Sequence, residues 1–158
     1  KPRSAHSRWS TSSVNWGLPV RERSRARGWA LQVLYAWESR ASDASPIPVL
    51  HEFLHERRIA ESSRPYLRQL VRAVADHREA IDARLQEALT NWRLERLSAI
   101  DRNVLRLAAA EMLYIEDVPP RVSIQEGIRL AEKYGTEESP RFVNGVLDAL
   151  LRKVDGRA

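Results

Sequence analysis

Five consecutive residues carry the sharpest sign of chemistry in this chain: His51, Glu52, Phe53, Leu54 and His55. H-E-x-x-H on a helix sets two imidazoles one turn apart as zinc ligands, with the glutamate as general base. A catalytic zinc also needs a third protein ligand and an open position. His77, Glu79 and Glu87 are the nearest choices for that ligand, and Arg58 stands where the metzincin continuation requires glycine. The opposing account is an amphipathic helix that buries Leu50, Phe53 and Leu54 and leaves both histidines at the surface. That account is preferred, and no metal is expected. The sequence contains no cysteine, which excludes thiolate nucleophiles and Cys-based zinc or iron–sulfur sites. Its six glycines are scattered, with no phosphate-cradling loop, and no G-x-S-x-G elbow occurs. Aspartates and glutamates alternate with arginines at helix-surface spacing and read as solvated ion pairs. Neither a catalytic residue nor a cofactor is expected.

Binding signals are stronger. Arg21, Arg23, Arg25 and Arg27 fall at alternate positions where a helix begins. Cations there oppose the helix dipole by about 0.3–1 kcal/mol each, a cost that use against a polyanionic partner explains. Residues 1–40 carry eight basic side chains against Glu22 and Glu38, while the rest of the chain is nearly neutral within a net charge of +5. Charge gathered at one end suits a nucleic-acid contact. Gln32 adds a base-edge donor and acceptor, and Tyr35 adds either a stacking surface or a core residue. A second patch is Arg141, Phe142 and Asn144, where Phe142 falls off the apolar stripe that starts at Val143. Cation, aromatic and amide together suit single-stranded RNA, which is read by stacking and base-edge hydrogen bonds. Gly145 within that helix suggests the close approach of another backbone.

The elements that would position these residues are all helical. Apolar residues recur three and four apart from residue 22 onward, and no alternating strand pattern is evident. A first helix is predicted over 22–40, with Ala30, Val33, Leu34, Trp37 and Ala41 inward. A breaker-rich loop through Ser42, Asp43, Pro46 and Pro48 leads to a short helix over 49–58. Ser62 or Ser63 is expected to cap a long helix carrying Leu67, Leu70, Val71, Val74, Ile81, Leu85 and Leu89. Ser98 or Asp101 caps the next, over 102–116, which stops at Pro119 and Pro120. Ser123 and Glu126 resemble a capping box, and Gly135 a left-handed helix end. Ser139 and Pro140 open the last helix, with Val143, Val146, Leu147, Leu150, Leu151 and Val154 inward. The expectation is an all-α bundle of six to seven helices. It comprises a basic leader over 1–20 and two tightly packed subdomains over 21–92 and 93–158. No apolar run approaches the ~20 residues of a membrane span, so a cytoplasmic protein is expected.

These motifs resemble the NusB family. Arg25, Arg27, Ala30, Gln32, Leu34, Tyr35 and Trp37 are similar to its opening helix. Asp101, Val104, Arg106, Leu107, Glu111 and Met112, then Val118-Pro119, then Ile124 through Gly135 resemble its second half. Phe142-Val143-Asn144-Gly145-Val146-Leu147-Asp148 is similar to its most specific stretch. The resemblance implies a non-catalytic transcription antitermination factor. With NusE, a small-subunit ribosomal protein, such a factor binds boxA RNA and promotes read-through by RNA polymerase, chiefly in ribosomal RNA operons. Carried over by position, it implies RNA contacts at Arg23, Arg25, Arg27, Gln32, Tyr35, Arg141, Phe142 and Asn144. It also implies a partner surface at Glu111 and Tyr114. Some relatives self-associate and hide the RNA face, so a homodimer stays open. The alternatives are the RNA-binding domain of an RNA methyltransferase, against which the lack of a cofactor loop counts, and the zinc hydrolase built on His51.

Overall fold

Helices form where apolar side chains repeat at helical spacing, and they stop where proline or a polar loop interrupts. The computed structural model describes residues 17–40 and 44–156, with side chains from Val20 onward. Among the described residues are six α-helices, α1 (Gly17–Ser39), α2 (Ile47–Glu56), α3 (Arg64–Ala88), α4 (Ala99–Tyr114), α5 (Pro120–Tyr134) and α6 (Ser139–Gly156). Short 3₁₀ turns at Glu61–Ser63 and Leu94–Arg96 precede α3 and α4. No strand occurs among the described residues, so the all-α expectation is met. Helix α1 starts inside the segment expected as leader. The leader up to residue 16, and Ala41, Ser42 and Asp43, lie outside the described residues.

Helix α4 is the centre. Every residue from Asn103 to Glu111 is buried, because α1, α3, α5 and α6 all pack on it. A helix enclosed all round should be apolar, yet Asn103, Arg106 and Glu111 are among its buried residues. Each is paired, as buried polar groups must be. The α1 stripe of Ala26, Ala30, Val33, Leu34 and Trp37 is fully or nearly fully buried, as is the α6 stripe through Leu150. Helix α3 has non-helical backbone at His77 (φ −126°, ψ 20°), whose ring stacks on Tyr114 at 3.8 Å and 5° between planes.

Several expected end signals act differently. Ser98 does cap α4, its hydroxyl accepting from the Asp101 amide at 3.1 Å. Ser63 precedes α3 without a side-chain cap and instead donates to the Glu22 carbonyl on α1. Helix α5 begins at Pro120, so Ser123 is already inside it and forms no capping box. Its hydroxyl donates to Glu111 at 2.8 Å. Gly135 ends α5 at φ −95°, not in the left-handed region. Glycine is needed there for space, since a Cβ would lie 2.5 Å from the Ser139 hydroxyl oxygen. Gly145 meets nothing within 4 Å, so the expected backbone approach is absent. The close approach is at Gly127, where a Cβ would sit 3.1 Å from Leu147 and 3.3 Å from Ala108.

Candidate nucleic-acid interface

Two polar knots, the first buried and the second half-buried, tie α1 to the rest of the protein. In the first, the Arg27 guanidinium donates to Glu111 at 2.8 Å and lies 3.3 Å from Glu126. Glu111 also accepts from Ser123 and from the Tyr66 phenol. Burial opposes the charge on Arg27, but the carboxylates of Glu111 and Glu126 outweigh it and raise its pKa. Burial, then the Glu111 charge, holds the Tyr66 phenol far above its ordinary value. In the second knot, Glu38 of α1 accepts from Arg102, Arg106 and Asn103, and Arg106 is held in turn by both oxygens of Asp82. The expectation that acidic residues serve mainly in solvated pairs fails at these carboxylates, which pin helices together from within.

These knots correct two site assignments. Arg27 is 4% exposed and committed to Glu111, so it is not available to a phosphate. Glu111 is 1% exposed and lies beneath the surface it was expected to form. Arg23 is half-way: its guanidinium binds Asp117 at 2.8 Å and covers the Tyr66 ring at 4.4 Å, with part of the side chain in solvent. Arg25 and Arg21 are exposed.

The other nominated residues do reach the surface. Tyr35 is 45% exposed, so it is not a core residue. Gln32 and Phe142 are half-buried, and Arg141 and Asn144 are exposed at the start of α6. Tyr114 is 38% exposed at the end of α4, against His77.

Three recesses lie beside these residues. The first lies between α1 and α5 and includes Arg25, Trp29, Gln32, Arg129, Lys133 and Tyr134. The second shares Gln32 and Tyr134 with the first, adds Tyr35 and Arg57, and reaches Ile100 of α4. The third is separate and is lined by Ser98, Asp101, Phe142 and Trp92 among others. The first two recesses bring cations and aromatic rings together, the combination that single-stranded nucleic-acid binding uses. Lys133, Tyr134 and Trp29 were not singled out from sequence. Lys133 and Tyr134 sit in the last turn of α5, where a basic residue also suits the helix dipole, so their pattern alone gave no separate signal.

The H-E-x-x-H residues have a structural use. Phe53 and Leu50 are buried, His51 and His55 are exposed, and both Glu52 oxygens accept from Arg40 at 3.0–3.1 Å. No cluster of three metal-ligating side chains occurs among the described residues. No helix there is long and apolar enough to cross a membrane.

Comparison with known proteins agrees with this architecture. The sequence profile of the NusB family matches residues 24–152. The transcription antitermination protein NusB of Desulfosudis oleivorans is 39% identical over 135 residues, covering 85% of this chain and 88% of that protein. The solved structure of T. maritima NusB superposes with a TM-score of 0.76 at 37% identity, covering 83% of this chain and 91% of its own. A crystal structure of the antitermination factors NusB and NusE in complex with double-stranded RNA gives a TM-score of 0.74 at 30% identity, covering 84% and 98%. With a family profile matched over 24–152 and relatives close to 40% identical over most of their length, the chain belongs to the NusB family.

Proposed function

We propose that this protein is an RNA-binding transcription antitermination factor. With NusE, a small-subunit ribosomal protein, it binds boxA RNA and promotes read-through by RNA polymerase, chiefly in ribosomal RNA operons. The observation that carries the reading is the pair of adjoining recesses that gather Arg25, Arg57, Arg129 and Lys133 with Trp29, Tyr35 and Tyr134. Family membership supports it, and the related NusB crystallised with NusE and double-stranded RNA supports partnership with NusE and contact with RNA. The protein acts in the cytoplasm by binding and not by catalysis. Arg25 and Arg141 contact phosphates, Arg23 assists from the edge, Gln32 and Asn144 read base edges, and Tyr35 and Phe142 stack on unpaired bases. Tyr114 belongs to the surface that meets NusE, and Arg27 and Glu111 act beneath these faces by holding α1 in place.

Single-stranded RNA is favoured over duplex because stacking on Tyr35 and Phe142 needs splayed bases, which an A-form helix does not present. The test is binding of a short labelled boxA RNA, its scrambled counterpart and a duplex, with and without NusE, at fixed salt. Preference for single-stranded boxA, strengthened by NusE, is the expected result. Equal weak binding to all three, unchanged by NusE, refutes the proposal.

A further inference from the structure

We propose that Gly28 is the point at which the sugar-phosphate backbone of the bound RNA lies directly against α1, an inference that rests on the RNA-binding reading. Glycine is the weakest helix former after proline, yet Gly28 stands in the middle of α1, between the buried Ala26 and Ala30. A glycine inside a helix has an internal reason when its backbone is left-handed, when the helix kinks, or when a neighbour leaves no room for a Cβ. Gly127 has the last of these, and Gly135 has it at the end of its helix. Gly28 has none of them. Helix α1 runs unbroken from Gly17 to Ser39, and a Cβ at Gly28 meets nothing within 4 Å. The reason therefore lies outside the chain, in a ligand that comes closer to the helix backbone than any side chain permits.

The surroundings identify that ligand. Gly28 lines the recess of about 280 Å³ between α1 and α5. Arg25 and Gln32 lie three residues before it and four after it, so all three share one face of α1. Arg129 and Lys133, four apart on α5, line the same recess. Arg25 and Lys133 are exposed. Arg129 is braced: its guanidinium donates to Glu126 at 3.0 and 3.2 Å and to the Ser24 carbonyl at 3.1 Å, while 41% of its side chain stays in solvent. Among the described residues no aspartate or glutamate lines the recess. Bare helix backbone with cations from two helices around it suits a phosphate and its sugar, whereas a stacked base needs a ring. Neither Gly28 nor Arg129 is among the contacts that the family resemblance implies. Any side chain at position 28 would stand where the RNA backbone lies and hold it away from Arg25.

The experiment titrates the full chain and its G28A, G28L and R25A variants with a short labelled boxA RNA at several salt concentrations. Thermal unfolding of each is followed by circular dichroism. Alanine and leucine are better helix formers than glycine, so both substitutions should raise Tm, by up to about 4 °C. Both should also weaken RNA binding, G28L by about tenfold, the worth of one charge-assisted contact, and G28A by less. G28L should lower the salt slope by about 0.7, because a phosphate contact is lost. A more stable protein that binds RNA less well is the expected signature, since general damage would lower both. A raised Tm with wild-type affinity, while R25A still weakens binding, refutes the close approach and leaves the wider interface standing. Weaker binding at an unchanged salt slope refutes the assignment to backbone, because a base is then what the side chain displaced. A lowered Tm refutes the open space at Gly28 on which the inference stands. If the wild type does not bind the RNA, the inference and the RNA-binding reading fall together.

Discussion

Replacing Arg27 with methionine separates structural from RNA-binding arginines most sharply. The side chain keeps a similar apolar stem but loses the guanidinium, which sits 2.8 Å from Glu111 in a site where both residues are almost fully buried. Removing one partner of a buried pair costs about 3–5 kcal/mol, because the other charge is left without its counterion. Glu111 would retain two neutral donors, the Tyr66 phenol and the Ser123 hydroxyl, which places the expected loss near the lower end. For a domain of this size each kcal/mol lowers Tm by about 2–4 °C, so a loss of about 3 kcal/mol corresponds to a drop of roughly 6–12 °C. Urea unfolding followed by circular dichroism gives the free energy, and the salt dependence of RNA binding gives the count of phosphate contacts. The R27M protein should be much less stable, yet while folded it should keep the wild-type salt slope. A stability change below about 1 kcal/mol, combined with a fall of about 0.7 in the slope, would mean that Arg27 neutralises a phosphate and that the buried knot is wrong.

Other perturbations probe the remaining assignments. Arg25→Ala should leave stability within about 0.5 kcal/mol, as for an exposed site, and lower the single-stranded RNA salt slope by about 0.7; an unchanged slope removes Arg25 from the interface. Burial disfavours the Glu38 carboxylate, but Arg102 and Arg106 outweigh it and hold its pKa below the ordinary 4.5. A depressed carboxylate stabilises the fold above that value and loses its contribution as pH falls through the lower, folded pKa. Thermal unfolding between neutral and strongly acidic pH should therefore show a loss beginning below 4.5 that is smaller in E38Q, and parallel curves for the two proteins would count against it. Gly127→Ala should destabilise by about 1–3 kcal/mol, since its methyl would press on Leu147 and Ala108. Gly145→Ala, with nothing within 4 Å, should stabilise by up to about 1 kcal/mol, and the two changes together test the packing of α5 against α4 and α6.

The helices were legible because their signal is local. Val143, Val146, Leu147 and Leu150 repeat at the helical period whatever lies opposite them, and all four are buried in α6. The polar knots were not legible, because Arg27 and Glu111 are 84 positions apart and nothing local to either names the other. Surface statistics made every arginine look solvated. One signal was nevertheless present: Arg27 precedes Ala30 by three residues and Leu34 by seven, so it lies on the stripe that enters the core. Arg25 lies about 200° round the helix from Arg27, and the same geometry sends it outward with Gln32, seven residues on. Burial of the first arginine thus sets the exposure of the second. Gly28 and Trp29, facing the groove beside Arg25, follow from the same rotation. The RNA-facing side of α1 is consequently a product of what its other side buries. A substitution in the Arg27 knot that rotates α1 should disturb Arg25, Gln32 and Tyr35 together, while one at Arg25 should leave the knot intact.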